Sequence, residues 1–350
     1  MKPKNPRRAH VRGAGALPVC LSLCAIVCAA LPSGSRAGDA GGAKRPVIGL
    51  VYSVGGLGDA SFNDSAHEGL MRAEKELGVR VLEFEPGDAS QREPLARRLA
   101  AGEADLIFGV GLFFSDDLRK LAAEFPKKKF AVVDYVGEGE GMPSNLLGIR
   151  FREQEGAFLV GAIAALVSKT GTIGFVGGME SAHIRKFEAG YRAGAKALRP
   201  STRVLAAYAG VTGEAFANPP KGKELALAQF DAGADIIFQA AGTTGFGVFK
   251  AAEERGLRAI GVDSDQAQMA APGVIITSML KVTGQTVYQT IRSFTEVQWK
   301  GGVAEFGLAE GALGYVADES NAEVLTPEVR RQVEALREKI IAGEIKVPSS

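Results

Sequence analysis

The sequence predicts an α/β protein made of two doubly wound lobes, each a parallel sheet with helices on both faces. Three observations predict it. Short apolar, β-rich runs alternate with amphipathic segments, the pattern of parallel strands joined by crossover helices. The runs recur in two halves, in the same order and at similar spacing: Ile48-Gly-Leu-Val51 with Ile173-Gly-Phe-Val176, Ala104-Asp-Leu-Ile-Phe-Gly109 with Ala234-Asp-Ile-Ile-Phe-Gln239, and Ala131-Val-Val-Asp134 with Ile260-Gly-Val-Asp263. Polar clusters fall directly after the strands, at the sheet edge where open α/β folds bind small ligands.

The first half opens on Val47 to Tyr52, an unbroken apolar run of the kind a strand buried on both faces carries. A glycine-rich loop follows, Gly55-Gly-Leu-Gly-Asp-Ala-Ser-Phe-Asn-Asp64, with one aromatic at the mouth of a helix read over 66–77. Further helices are read over 92–101 and 115–125, flanking the strands that end at Gly109 and Asp134. The stretch 147–155 is read as the crossover to the second half. There, helices over 184–198 and 222–232 separate the repeated strands, and the chain returns after 274–278. A charged, capped helix over 326–344 closes the sequence and is expected on the outside of the first lobe. Asp134 and Asp263 end equivalent strands of the duplicated unit, which points to one cleft shared by both lobes.

The N-terminus is an address. Five basic residues up to Arg12 precede an apolar stretch to about Leu31 and then Ser35-Arg36-Ala37, so residues 1–37 read as a secretory signal peptide. All three cysteines, Cys20, Cys24 and Cys28, lie inside it. Cleavage after Ala37 leaves no disulfide and no thiolate chemistry. Periplasmic export is the expected localisation, and a lipid anchor through one of these cysteines is the alternative; the large residues Val19, Leu23 and Val27 before them disfavour it. The leader holds six of the 41 basic residues and none of the 40 acidic ones, leaving 35 against 40, a balance unsuited to binding a nucleic-acid backbone.

Catalytic chemistry is sparse. Beyond the leader only His67 and His183 remain, too few for a histidine metal site, and neither a metal nor a cofactor is expected. His67 reads as a structural histidine on a first turn, while His183 opens a second-half helix within reach of a ligand. No serine sits in a glycine-flanked nucleophile elbow. Gly56-Leu-Gly58-Asp-Ala-Ser61 is half a dinucleotide fingerprint, with Ser61 in place of its third glycine and two acidic residues where a pyrophosphate would lie.

Eight segments in order resemble one family: Gly58-Asp-Ala-Ser-Phe-Asn-Asp64, Glu155-Gly-Ala-Phe-Leu-Val-Gly161, Gly177-Gly-Met179, Ile184-Arg-Lys-Phe-Glu-Ala-Gly-Tyr191, Lys221-Gly-Lys-Glu-Leu-Ala226, Ala241-Gly-Thr-Thr-Gly245, Gly261-Val-Asp-Ser-Asp-Gln266 and Thr277-Ser-Met-Leu-Lys281. The chain resembles the basic membrane lipoprotein, PnrA-like group of purine nucleoside receptors of ABC importers. The resemblance implies a periplasmic binding protein type I-like fold, two lobes joined by a hinge, with residues 45–150 and about 279–350 in lobe 1 and 151–278 in lobe 2. It implies a non-enzymatic, monomeric receptor that delivers its ligand to a permease. Residue by residue, it places Phe62 and Phe187 as an aromatic clamp, Asn63 and Asp134 on the base, and Gly242, Asp263 and Lys281 on the ribose. Ser53 and Asp59 complete the expected site. Two positions depart from the family pattern: Ser53 where many members are acidic, and Ala182 where many have proline.

An ionised Asp134 accepts hydrogen bonds only, so guanosine or inosine, with a hydrogen on ring N1, should bind better than adenosine. A receptor of the same fold for a sugar or signalling molecule, feeding a sensor, is the alternative. An exported nucleoside hydrolase or phosphorylase would need an aspartate metal cluster or a phosphate loop at the first strand end.

Overall fold

A computed structural model describes residues 45–350; the leader and its cysteines lie outside the described residues. The first sheet takes β1 (Val47–Val51), β2 (Arg80–Phe84), β3 (Leu106–Val110), β4 (Lys129–Val133), β5 (Leu146–Phe151) and β11 (Gly302–Phe306), in the order β11-β5-β4-β3-β1-β2. All its pairings are parallel. The second sheet takes β6 (Thr172–Met179), β7 (Arg203–Gly210), β8 (Ile236–Ala240), β9 (Arg258–Asp263), β10 (Ile275–Lys281) and β12 (Leu313–Tyr315), in the order β12-β10-β9-β8-β6-β7. Only β12 runs antiparallel to its neighbour. The first five strands of each sheet follow one order, so the duplication read from the sequence is a duplication of topology. All five residues of β1, β3 and β8 are buried, as helices on both faces require.

The strand order reverses beside β1 in one lobe and β6 in the other. Loops leaving such a pair diverge and open a crevice at the C-terminal strand ends. Each crevice is entered by a helix: α1 (Phe62–Leu77) after β1 and α5 (Ala182–Leu198) after β6. α1 begins four residues earlier than its periodicity suggests, because Asp59 satisfies the first backbone N–H groups and draws Phe62 and Asn63 into the first turn.

Glycine lets two helix pairs approach closely. α8 (Thr283–Thr295) packs on α1, where a Cβ on Gly69 would run into the carbonyl of Gly284. α4 (Glu153–Val167) packs on α5, where Cβ atoms on Gly161, Gly190 and Gly194 would meet the carbonyls of Tyr191, Gln154 and Phe158.

Two expectations are corrected here. The stretch 147–155 is not simply a connector: most of it is β5, and the crossing to the second lobe comes at Arg152, before α4. The lobe boundaries also differ at the C-terminal end. β10 stays in the second sheet through Lys281, the chain crosses to α8 and β11 in the first lobe, and 307–312 carries it back to β12. The last helix, α9 (Pro327–Ile341), packs on α4, so residues 313–341 belong to the second lobe and not the first. Its placement follows from β12, whose pairing with β10 delivers α9 to that side, and Tyr315 of β12 donates to Glu334 of α9 at 2.8 Å. The lobes are therefore linked by three crossings where the sequence suggested two.

Candidate functional site

The strand ends of both lobes face each other across one cavity of about 760 Å³, part of it open to solvent. It is lined from the first lobe by Ser53, Asp59, Phe62, Asn63 and Asp134, and from the second by Phe187, Gly242, Asp263 and Lys281. Every residue expected at the site is thus on its wall. The lobes touch across it: Ser61 Oγ donates to Asp263 Oδ2 at 2.7 Å, and Gln266 Nε2 to the Ala60 carbonyl at 3.3 Å.

Asp134 and Asp263 sit one residue beyond or at the end of their strands with left-handed φ of 60° and 65°. That turn lifts each carboxylate out of the sheet edge into the cavity. Lys281 Nζ, at the end of β10, lies 2.9 and 3.2 Å from the two oxygens of Asp134 and 3.5 Å from Asp263. Burial alone would raise the pKa of Asp134, but Lys281 and His183 outweigh it and hold the carboxyl well below its usual range. Burial opposes the charge on Lys281, and Asp134, Asp263 and Glu153 together raise its pKa above the ordinary lysine value. The ion pair therefore stays charged although both side chains are almost fully buried.

The same ammonium lies over three ring faces, 4.5 Å from the centroid of Phe62, 5.3 Å from that of Phe151 and 5.9 Å from that of Phe187, and of these Phe62 and Phe187 also line the cavity. Two cavity-lining rings from opposite lobes therefore flank one ammonium. Asn63 is oriented by Ser53, whose N–H and hydroxyl both donate to its Oδ1 at 3.0 Å. Because the backbone N–H must meet an oxygen, the amide is fixed with its NH2 group toward other partners. Asp59 lines the cavity, yet its carboxylate is committed to the N–H groups of Ser61, Asn63 and Asp64 at 2.9 to 3.2 Å, which makes it the cap of α1. Burial pushes its pKa up to about 6 against those three hydrogen bonds. Gly242 takes φ 58°, and a Cβ there would press on the Phe216 carbonyl at 2.9 Å.

Two wall residues, Phe113 and Phe216, were not singled out from the sequence. Phe113 lines the cavity from the first lobe and Phe216 from the second, and Gly213 of the second lobe lies against Phe113. Phe113 falls inside a strand-end cluster, 109–115, and its position alone could have found it. Phe216 follows the edge strand β7 in a short 3-10 turn, where no strand-end rule points. Glu153, completely buried at the start of α4, pairs with Lys186 at 3.1 Å. His183 lies 3.3 Å from Asp134 and 3.6 Å from Glu153. Among the described residues, these three could offer ligand atoms to one cation. The Lys281 and Lys186 ammonium groups already hold the same carboxylates, so the cluster is a network of paired charges.

Residues 46–350 match the family described as Bmp, ABC transporter substrate-binding protein PnrA-like. The chain belongs to this PnrA-like family. Basic membrane protein A of Borreliella burgdorferi is 36% identical over 313 residues, covering 88% of this chain and 89% of that protein. Among solved structures, an ABC transporter solute-binding protein from Aeropyrum pernix K1 superimposes with a TM-score of 0.79 at 31% identity, covering 87% of this chain and 94% of that one. Another, from Conexibacter woesei, gives a TM-score of 0.70 at 25% identity over 87% and 99% of the two chains. The fold is that of the type I periplasmic binding proteins, and the PnrA-like family and these neighbours are solute-binding proteins rather than enzymes. Membership of an ABC substrate-binding family implies a ligand and a permease as partner.

Proposed function

We propose that this PnrA-like protein captures purine nucleosides between its lobes and delivers them to an ABC permease after export to the periplasm. The observation that carries the reading is the pair of phenyl rings, Phe62 and Phe187, that line one cavity from opposite lobes, each with its centroid within 5.9 Å of the Lys281 ammonium. A purine buries two apolar faces between such rings and leaves a polar edge and a ribose for the acidic wall. Asp134, kept ionised, is an acceptor for ring N1–H. Asp263 Oδ1 is buried and makes no hydrogen bond, an acceptor that a ribose hydroxyl would satisfy. Lys281 offsets both charges and can donate to a sugar oxygen.

Calorimetric titration of the chain from Gly38 onward with guanosine, inosine, adenosine, uridine and ribose tests the reading. Purine nucleosides should bind at micromolar concentration or below, guanosine and inosine more tightly than adenosine, and ribose should give no heat. Phe62→Ala and Phe187→Ala should each cost roughly 1–3 kcal/mol of binding, the worth of one base–aromatic stack. Ribose binding without nucleoside binding would instead identify a sugar receptor of the same fold.

A further inference from the structure

His183 belongs to neither the clamp nor the ion pairs the function requires, yet it is buried in the cleft wall. It sits on the first turn of α5, four residues before Phe187, so both side chains share one helix face. Their rings meet edge to face with centroids 6.1 Å apart. A base lying on Phe187 would therefore present its edge toward His183. On the other lobe, that edge also meets Asp134.

The nitrogen that faces the cleft has a defined role. Nε2 lies 3.3 Å from Asp134 Oδ2 and 3.6 Å from Glu153 Oε1, and the latter oxygen is fully buried with no hydrogen-bond partner. Two carboxylate oxygens around one ring nitrogen assign the hydrogen to it, whatever the charge of the ring. His183 Nε2 is thus a donor placed beside an acceptor, Asp134 Oδ2.

We infer that His183 is a specificity residue that donates to the 6-oxygen of an oxopurine while Asp134 accepts from the neighbouring N1–H. The inference rests on the purine nucleoside reading and assigns the atom that His183 reads. Guanosine and inosine carry a donor and an acceptor side by side on that edge, matching the Asp134–His183 pair. Adenosine carries them reversed, with a bare N1 and an amino group. The two partners come from opposite lobes, so an oxopurine edge completes its contacts only when the lobes are together. The contact of Nε2 with Asp134 Oδ2 at 3.3 Å holds the donor in position.

The test compares His183→Leu with the unaltered protein by calorimetry against guanosine, inosine, adenosine and purine riboside, which lacks the 6-oxygen. Loss of a hydrogen bond to an oxygen acceptor should weaken guanosine and inosine roughly 10- to 100-fold while adenosine and purine riboside change little. His183→Asn, which keeps a donor, should restore part of the difference. In the unaltered protein, inosine should exceed purine riboside by more than that factor, since purine riboside lacks both the 6-oxygen and the N1 hydrogen, and His183→Leu should narrow the gap. Equal weakening of all four ligands would make His183 a structural residue only and overturn the inference while leaving the receptor reading intact. If the unaltered protein binds no nucleoside, both fall together, and that result appears before any variant is compared.

Discussion

Asp134 and Asp263 show how much of this site is written at single positions. Each takes a left-handed backbone, which costs most side chains energy and which aspartate and asparagine tolerate best. The strain is placed where it turns a carboxylate into the cleft, and it recurs at equivalent strand ends of the two lobes. Asp59 shows the opposite economy. It caps α1 and holds Phe62 and Asn63 in place, but burial raises its pKa to about 6, above the ordinary value of 3.8. A carboxyl whose pKa rises on folding binds its proton more tightly in the folded state. Its contribution to stability is complete below about pH 4 and is lost as pH rises through about 6. Asp59→Asn removes the charge and keeps one accepting oxygen, enough for the Ser61 and Asp64 N–H groups but not for that of Asn63, a loss that does not depend on pH. Its stability relative to the unaltered protein should therefore increase from about pH 4 to about pH 7. Chemical denaturation across that range checks this, and a difference independent of pH would mean the carboxylate is not strained by burial.

Helix contacts carry the site from one scale to the next. Phe62 and Gly69 lie seven residues apart on α1, and Phe187 and Gly194 lie seven apart on α5. Seven residues are two helical turns, so each of these rings shares a face with a glycine that touches a neighbouring helix backbone. The close approach fixes how each helix is rolled, and the roll aims the ring. Gly194→Ala should destabilise the fold by about 1–3 kcal/mol through overpacking against α4 and should weaken ligand binding as well. Gly314→Ala in β12, where a Cβ would meet nothing within 4 Å, is the matched control. Thermal unfolding of the two variants separates crowding from any general effect of alanine; equal losses would refute the account. Phe62 and Phe187 could be picked out in the sequence because they sit in segments that resemble the family's, and both line the cavity. The Gly69 and Gly194 contacts could not, because a glycine inside a helix does not announce which carbonyl it will touch.

The whole molecule shows the same division between what pattern reveals and what packing decides. Two repeated halves, parallel sheets and a shared cleft followed from strand order and strand-end polarity. The position of α9 did not: an amphipathic helix has a face to bury but no label for its partner, and the short strand β12 made that choice. The third crossing, at 307–312, was also hidden, since a six-residue link between sheets has no periodicity. The nearness of His183 to Glu153 was hidden as well, since it comes from the packing of α5 on α4, with Asp134 reached across the cleft. The three crossings have a consequence for cutting the chain. Ala309, Glu310 and Gly311 are exposed in the third of them. A protease site built there should yield two fragments on a denaturing gel and one species on a native gel, still able to bind nucleoside. The first lobe would stay tied to the second by two uncut strands, and the short fragment would be held by its β12 pairing and by α9. A nick that released the fragment or abolished binding would show that the third link bears tension. Connectivity here is redundant: three covalent links join the two halves, so cutting one leaves two.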